Sequence, residues 1–294
     1  MKYIIFGGSG FLGTKITEFL IQGGHEVVVV DIRPSKIKDA KFLKRNLLNP
    51  IFPDDLLKFP DICINLTGKT IFGRWNDSFK QLIYDTRIIA TRNISHLYQN
   101  SIYKPKKHIQ ASAVGIYGDH EKRIIDEDSA YGISFLSELV EDWESEAKII
   151  KEKEVDVKIL RNAFILGKDG FLKTVLPFFK LGLGGPFGRG EYYLPWIHID
   201  DCARMYIRAS QEDDFPDIVN SVSEEHILYK DFVKTLAHIL HRPYLFYIPK
   251  FTLYILFGEF AKEITISQRV SSKHFQKNTF TTISQALEDI LKKK

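Results

Sequence analysis

The segment Lys2 to Gly13, KYIIFGGSGFLG, runs from an apolar strand into closely spaced glycines and then opens a helix. Gly7, Gly10 and Gly13 read as G-x-x-G-x-x-G, and Gly8, Gly10 and Gly13 as the overlapping G-x-G-x-x-G. Both readings imply one geometry. Gly7 or Gly8 permits the tight turn after the strand, Gly10 lets backbone approach a phosphate, and Gly13 lets the helix pack against the sheet. The amides at the helix start then face an anion, so Ser9, Phe11 and Leu12 fall within the same cradle for a dinucleotide pyrophosphate.

The flanking pattern supports that reading. Ile4, Ile5 and Phe6 form a short apolar strand, and Phe11, Leu12, Ile16, Phe19 and Leu20 recur at helical spacing up to Gly23 and Gly24. Val27 to Val30 is a β-branched run suited to a parallel strand buried on both faces, and it ends at Asp31. This is a β-α-β unit. Asp31 stands where an acidic residue hydrogen-bonds the adenosine ribose hydroxyls, which favours NAD over NADP. Arg33, two residues on, leaves NADP open because it can swing over a 2′-phosphate, and the plainer alternative makes both residues solvated turn positions.

A chain of 294 residues holds one large α/β domain or a nucleotide domain with a smaller cap. With 44% hydrophobic and 27% charged residues, no low-complexity segment and no internal repeat, it is expected to fold throughout. The formal charge of +4 is small. Its short basic clusters, at Lys104, Lys106 and Lys107 and at Lys292 to Lys294, read as solvated surface, which argues against nucleic-acid binding. Cys63 and Cys202 sit in apolar segments and are expected to be buried and reduced. The glycine loop lies too close to Met1 for a signal peptide, so a cytoplasmic protein is expected. Phe251 to Ala261 is too short to span a bilayer and reads as a buried helix.

Further along, a short strand is expected near Phe42 to Leu47 and a fourth at Asp61 to Leu66. The turn Leu66, Thr67, Gly68 then approaches the cofactor, because strand carboxyl ends face the ligand crevice in an open parallel sheet. A long helix spans Trp75 to Gln99. The fifth strand, His108 to Ala113, delivers Ser112 to the crevice, a helix covers Phe135 to Lys153, and Val155 to Ile159 supplies the sixth. Past Leu166 the pattern loosens into the loop Leu181 to Gly190, LGLGGPFGRG. The expected architecture is a Rossmann-type α/β doubly wound parallel sheet over residues 1–165, with 166–294 mainly a substrate cap and carboxy-terminal extension from which 200–222 returns to the sheet.

GKTIFGRW (Gly68 to Trp75), DTRIIATR (Asp85 to Arg92), SAVGIYG (Ser112 to Gly118), EDWE (Glu141 to Glu144), GLGGPFGRG (Gly182 to Gly190), WIHIDD (Trp196 to Asp201) and HRP (His241 to Pro243) together resemble one group. It is the extended short-chain dehydrogenase/reductases, and within them the atypical epimerase-like subfamily with a distinctive carboxy-terminal extension. The resemblance implies NAD or NADP, a serine after the fifth strand, and a tyrosine four residues before a lysine on the next helix. Ser112 matches the serine and would polarise the substrate oxygen. The tyrosine and lysine have no counterparts: aligning Glu144 with the glutamate that follows them puts Leu136 and Val140 in their places. Tyr103 with Lys107 has the spacing but precedes the fifth strand, and Tyr131 is at best a partial substitute.

Tyr117 is the nearest alternative proton donor, provided a cation such as Lys69, Lys122 or Arg74 lowers its pKa. Substrate contacts are expected from Arg74, Trp75, Arg189, Trp196 and His198, with a structural role as the competing reading of His198, and Asp200 or Asp201 capping the helix after it. The histidines show no metal-ligand spacing. Around Gln268 to Phe280, Ser272 replaces the usual proline and Thr279 the usual glycine. The leading expectation is an NAD(P)-dependent oxidoreductase or nucleotide-sugar epimerase-like enzyme acting on a small hydroxylated or carbonyl substrate, with a homodimer through Phe251, Ile255 and Phe257 left open. The rival is an NAD(P)-binding protein without turnover that a partner recognises.

Overall fold

The computed structural model describes residues 1–51, 58, 60–152, 154–244, 247–274 and 277–292. Lys153, Phe275, Gln276, Lys293 and Lys294, which fall within segments read above, lie outside the described residues, as does part of the stretch before Pro60. The first half of the chain forms β1 (Lys2–Phe6), α1 (Phe11–Gln22), β2 (Glu26–Asp31), β3 (Lys41–Lys44), β4 (Ile62–Asn65), α2 (Asp77–Gln99) and β5 (Lys107–Ala113). A 3-10 turn (Val114–Tyr117) leads to β6 (Ile124–Ile125), α3 (Phe135–Lys151), β7 (Asp156–Asn162), β8 (Phe164–Leu166) and α4 (Phe171–Lys180). The remainder comprises β9 (Tyr193–Leu194), β10 (Trp196–His198), α5 (Ile199–Gln211), β11 (Ile218–Ser221), β12 (Ile227–Leu228), α6 (Tyr229–Ile239), α7 (Lys250–Phe257), α8 (Phe260–Glu263), β13 (Arg269–Val270) and α9 (Ile283–Lys292).

Seven parallel strands make the main sheet in the order β11-β7-β5-β4-β1-β2-β3. From β1 the chain moves outward through β2 and β3, then returns to β4 on the other side of β1. Right-handed crossovers therefore place α1 and α2 on opposite faces, where α1 packs with α5 and α2 with α3. The reversal opens a crevice at the carboxyl ends of β1 and β4. Val27 to Val30 are buried as their composition requires. Six strands were expected and seven form, because Ile218–Ser221 adds an edge to β7. That strand hides in sequence as a short run after Pro216.

Strand β7 also continues past Ile159 through Arg161 and Asn162. A charged residue reads as a strand end, yet Arg161 is fully buried because a carboxylate meets it there. Asn76 caps α2 through its side-chain oxygen on the Phe79 amide, so Trp75 lies before the helix. Lys107, expected in solvent, is buried with its Nζ donating to the Glu212 carbonyl at 2.7 Å. Both cysteines are buried and free.

A hydrophobic core separate from those on the main sheet, built on Leu172, Trp196, Phe232, Leu236 and Leu287, gathers the cap elements and α9. Residues Phe251 to Ala261 do not form the buried helix expected: Phe251 and Ile255 on α7 are 67% and 63% exposed, whereas Phe257 packs against the cap core. Among the described residues no helix is long and apolar enough to cross a membrane. Ser272 donates to Glu127 at 2.6 Å, a bond that the proline expected at this position cannot make.

Candidate functional site

The glycine loop owes its shape to three close approaches. Gly7 has φ +74°, and a Cβ on it would lie 2.9 Å from the backbone of Leu66 and Thr67, so β1 and β4 can meet only at a glycine. On Gly13 a Cβ would lie 2.6 Å from Gly8 Cα, which fixes how closely α1 sits on the loop. At Gly10 it would meet only the Gly7 carbonyl, at 3.2 Å, so the side facing the crevice is open. Gly10, at the start of α1, makes no side-chain cap, and among the described residues no side chain takes its place, so the first-turn amides stay available to an anion. Leu12 and Phe11 turn their side chains away, Leu12 into the core and Phe11 onto Gly167. At the same strand end the Thr67 side-chain oxygen is buried with no hydrogen-bond partner among the described residues.

These features fit a dinucleotide. The loop from Gly7 to Gly13 would hold its diphosphate, and the turn Leu66, Thr67, Gly68 would close over it. Asp31 joins the glycine loop to the turn after β2: one carboxylate oxygen accepts from the Ser9 amide at 3.1 Å, the other from the Ile32 and Arg33 amides at 2.7 and 3.2 Å. Ser9 in turn donates its hydroxyl to the Arg33 carbonyl at 2.7 Å. The Arg33 side chain is exposed.

Ser112 emerges at the end of β5, where its neighbour in register is Arg161 of β7. Its hydroxyl is nearly closed from solvent and donates to Glu144 Oε1 at 2.6 Å. Glu144, on α3, also receives Arg161 Nε at 2.8 Å and Nη2 at 2.9 Å. Arg161 Nη1 donates to the Tyr117 hydroxyl at 2.8 Å, and Tyr117 donates onward to Asn220 Oδ1 at 2.8 Å. The same guanidinium reaches the Tyr131 hydroxyl at 2.8 Å. Burial works against the Arg161 charge, but the Glu144 carboxylate outweighs it and holds the guanidinium more firmly protonated than usual.

Tyr117 is therefore not the crevice-facing donor expected of it. Its ring is fully buried, and burial pushes its pKa up to about 12 against the opposing pull of Arg161. None of Lys69, Lys122 or Arg74 supplies the cation; Arg161 does. The sequence signal for Arg161 was a charged residue inside an apolar strand, which a two-faced buried sheet tolerates only with a partner.

The expected substrate residues are spread apart. Trp75 is buried, its indole donating to the Ile71 carbonyl at 2.8 Å and stacking on Phe260 at 4.9 Å. Trp196 is wholly within the cap core. His198, also buried, caps α5 by accepting the Asp200 amide on Nδ1 at 3.1 Å, while its Nε2 faces Asp289 at 3.3 Å. Neither aspartate is the cap. Arg74 and Arg189 are exposed, Arg74 beside Gly258 at the end of α7. Among the described residues no group of His, Cys, Asp and Glu has a metal-binding arrangement.

A family model described as the NAD dependent epimerase/dehydratase family matches residues 3–220. The epimerase family protein YfhF of Bacillus subtilis is 36% identical over 276 residues, covering 93% of this chain and 91% of its own. The epimerase family protein SDR39U1 of Homo sapiens is 29% identical over 307 residues, covering 99% and 100%. A crystal structure of the human SDR39U1 protein (isoform 2) with NADPH superposes with a TM-score of 0.88 at 26% identity, covering 100% of both chains. UDP-glucuronic acid 4-epimerase of Bacillus cereus, solved with UDP-glucuronic acid and NAD, has a TM-score of 0.78 at 18% identity over 99% of this chain and 98% of its own, a likeness of fold.

Proposed function

The chain belongs to the NAD-dependent epimerase/dehydratase family, in its atypical extended short-chain dehydrogenase/reductase branch, and from that premise we propose that it moves hydride between a nicotinamide dinucleotide and a small hydroxylated or carbonyl substrate. The observation that carries this reading is the uncapped start of α1, set between Gly7 and the unpartnered Thr67 hydroxyl at the point where strand order reverses. The proposed ligands are Gly7, Gly8, Ser9, Gly10, Phe11, Leu12, Gly13, Leu66, Thr67 and Gly68 toward the diphosphate, and Asp31 and Arg33 toward the ribose. Sugar nucleotides are the first substrates to test, since fold neighbours hold them.

The purified chain is loaded with NADH or NADPH and nicotinamide absorbance is followed against sugar nucleotides and simple carbonyl compounds. Turnover of any class supports the reading, and Ser112→Ala should then slow it by about tenfold or more. Turnover that Ser112→Ala leaves unchanged removes Ser112 from the chemistry. Arg33→Ala should weaken NADPH relative to NADH by about tenfold if Arg33 covers a 2′-phosphate; an unchanged ratio assigns the adenosine ribose to Asp31 alone.

A second reading has its own support. Ser112 and Tyr117 are enclosed with Glu144, Arg161 and Asn220 rather than presented to the crevice, which suits a protein that binds NAD(P) for recognition without turnover. Tight dinucleotide binding together with no cofactor oxidation or reduction in a full metabolite extract would favour it.

A further inference from the structure

Helix α2 crosses from the end of β4 to the start of β5, so its first turns lie at the crevice end of the sheet. Thr91, deeper in the helix, ties β4 to α3 by accepting from Asn65 and from the Trp143 indole, each at 3.0 Å. One turn nearer the crevice stands Arg87. Its guanidinium lies over the Trp143 ring, 5.1 Å from the centroid, and Nη1 donates to the Lys69 and Ile83 carbonyls at 3.0 and 3.1 Å. It also fills the space left by Gly68, where a Cβ would lie 3.0 Å from Cζ.

Among the described residues no carboxylate reaches ion-pair distance of Arg87, and burial alone draws its pKa down to about 10. Arg161 and Arg208, by contrast, hold Glu144 and Glu212. A half-buried cation without a counter-ion is costly to keep, and its Nε and Nη2, which meet no acceptor among the described residues, form the edge that grips carboxylate or phosphate in fork geometry. Two further observations meet at this place. The Thr67 hydroxyl, also without a partner, lies two residues before Lys69 on the same turn. On α3, Trp143 sets its ring under the guanidinium while its indole is held by Thr91, so the arginine rests on a fixed platform.

We propose that Arg87 is the anion-binding group of the crevice, its Nε and Nη2 edge taking an oxyanion of the bound ligand. That oxyanion is either a diphosphate oxygen of the dinucleotide or a carboxylate or phosphate oxygen of the substrate. The proposal rests on the crevice reading above for its choice of ligand, though not for the existence of the anion site.

Wild type, Arg87→Gln and Arg87→Lys are titrated calorimetrically with NADH, ADP-ribose and inorganic phosphate, the last both alone and after saturation with NADH, at several salt concentrations. Arg87→Gln should lose about tenfold or more in affinity for the anion it holds and show a shallower salt dependence, with Arg87→Lys between, since it keeps charge but loses the fork. Loss for both NADH and ADP-ribose assigns the diphosphate; loss confined to phosphate on the NADH-loaded chain assigns the substrate oxyanion. Affinities within about twofold of wild type for all probes, in either folded variant, overturn the proposal. Should Arg87→Gln fail to fold, Arg87→Lys carries the comparison. A wild-type chain that binds phosphate but no dinucleotide removes the crevice reading and leaves the anion site standing; one that binds neither removes both.

Discussion

Glu144 and Arg161 keep opposite charges at 1% and 0% side-chain exposure, joined by two hydrogen bonds and surrounded by Ser112, Tyr117 and Tyr131. Removing one partner of such a pair strands the other charge in a medium that cannot solvate it. Glu144→Gln should therefore lower unfolding free energy by roughly 3–5 kcal/mol in a urea titration. A loss below ~1 kcal/mol would mean that water reaches the pair. His108 shows the neutral solution to the same problem. It is fully buried, with burial lowering its pKa to about 4, and its ring accepts from Tyr98 on Nδ1 while Nε2 donates to Gln110. The unfolded chain takes up a proton there below pH ~6.5 and the folded chain does not until about 4, so stability is complete above the upper value and falls as pH drops between them. The drop should reach roughly 3 kcal/mol and vanish in His108→Gln. Equal acid sensitivity in both proteins would count against it.

At the scale of elements, the β1 to α1 junction separates two kinds of glycine. Gly24 has φ +76° but nothing within 4 Å of a Cβ, so Gly24→Ala meets only the left-handed backbone penalty of about 1 kcal/mol. Gly13→Ala must push α1 off Gly8, and it should abolish dinucleotide binding while Gly24→Ala leaves binding unchanged. Calorimetric titration of both decides; retained affinity in Gly13→Ala would show that the loop yields. This junction was legible in sequence because spacing of glycines and β-branched residues encodes local geometry directly. Arg161 and Arg87 were not, since a charge in a strand or on a helix face gains its meaning from residues distant in sequence, Glu144 for one and Gly68 with Trp143 for the other. Trp75 and Trp196 misled for a related reason. Aromatic rings read as ligand platforms, but here both are core, Trp196 in the cap and Trp75 among Ile83, Leu139 and Phe260 of α2, α3 and α8.

The cores on the main sheet and the core of the cap share one chain, and their relation depends on a few polar clasps. Asp201, at the start of α5 against the main sheet, accepts the Thr279 and Phe280 amides at 3.0 and 2.9 Å, and the Phe280 ring then lies against His198 with centroids 3.8 Å apart. Glu225 accepts the Ile283 amide at 2.6 Å as α9 begins, and α9 buries Ile283, Ala286, Leu287 and Ile290 in the cap core. The aspartate expected to cap its own helix instead fastens the carboxy-terminal segment beneath it. Asp201→Ala leaves two backbone donors unmet, so it should cost roughly 1–3 kcal/mol. The loss should be local: amide exchange across α9 accelerates, while β1 and β2, held on both sides within the sheet, keep their protection. Acceleration spread evenly over α9 and β1 would instead show that sheet and cap unfold as one, with the clasp serving the whole molecule rather than the attachment of its last helix.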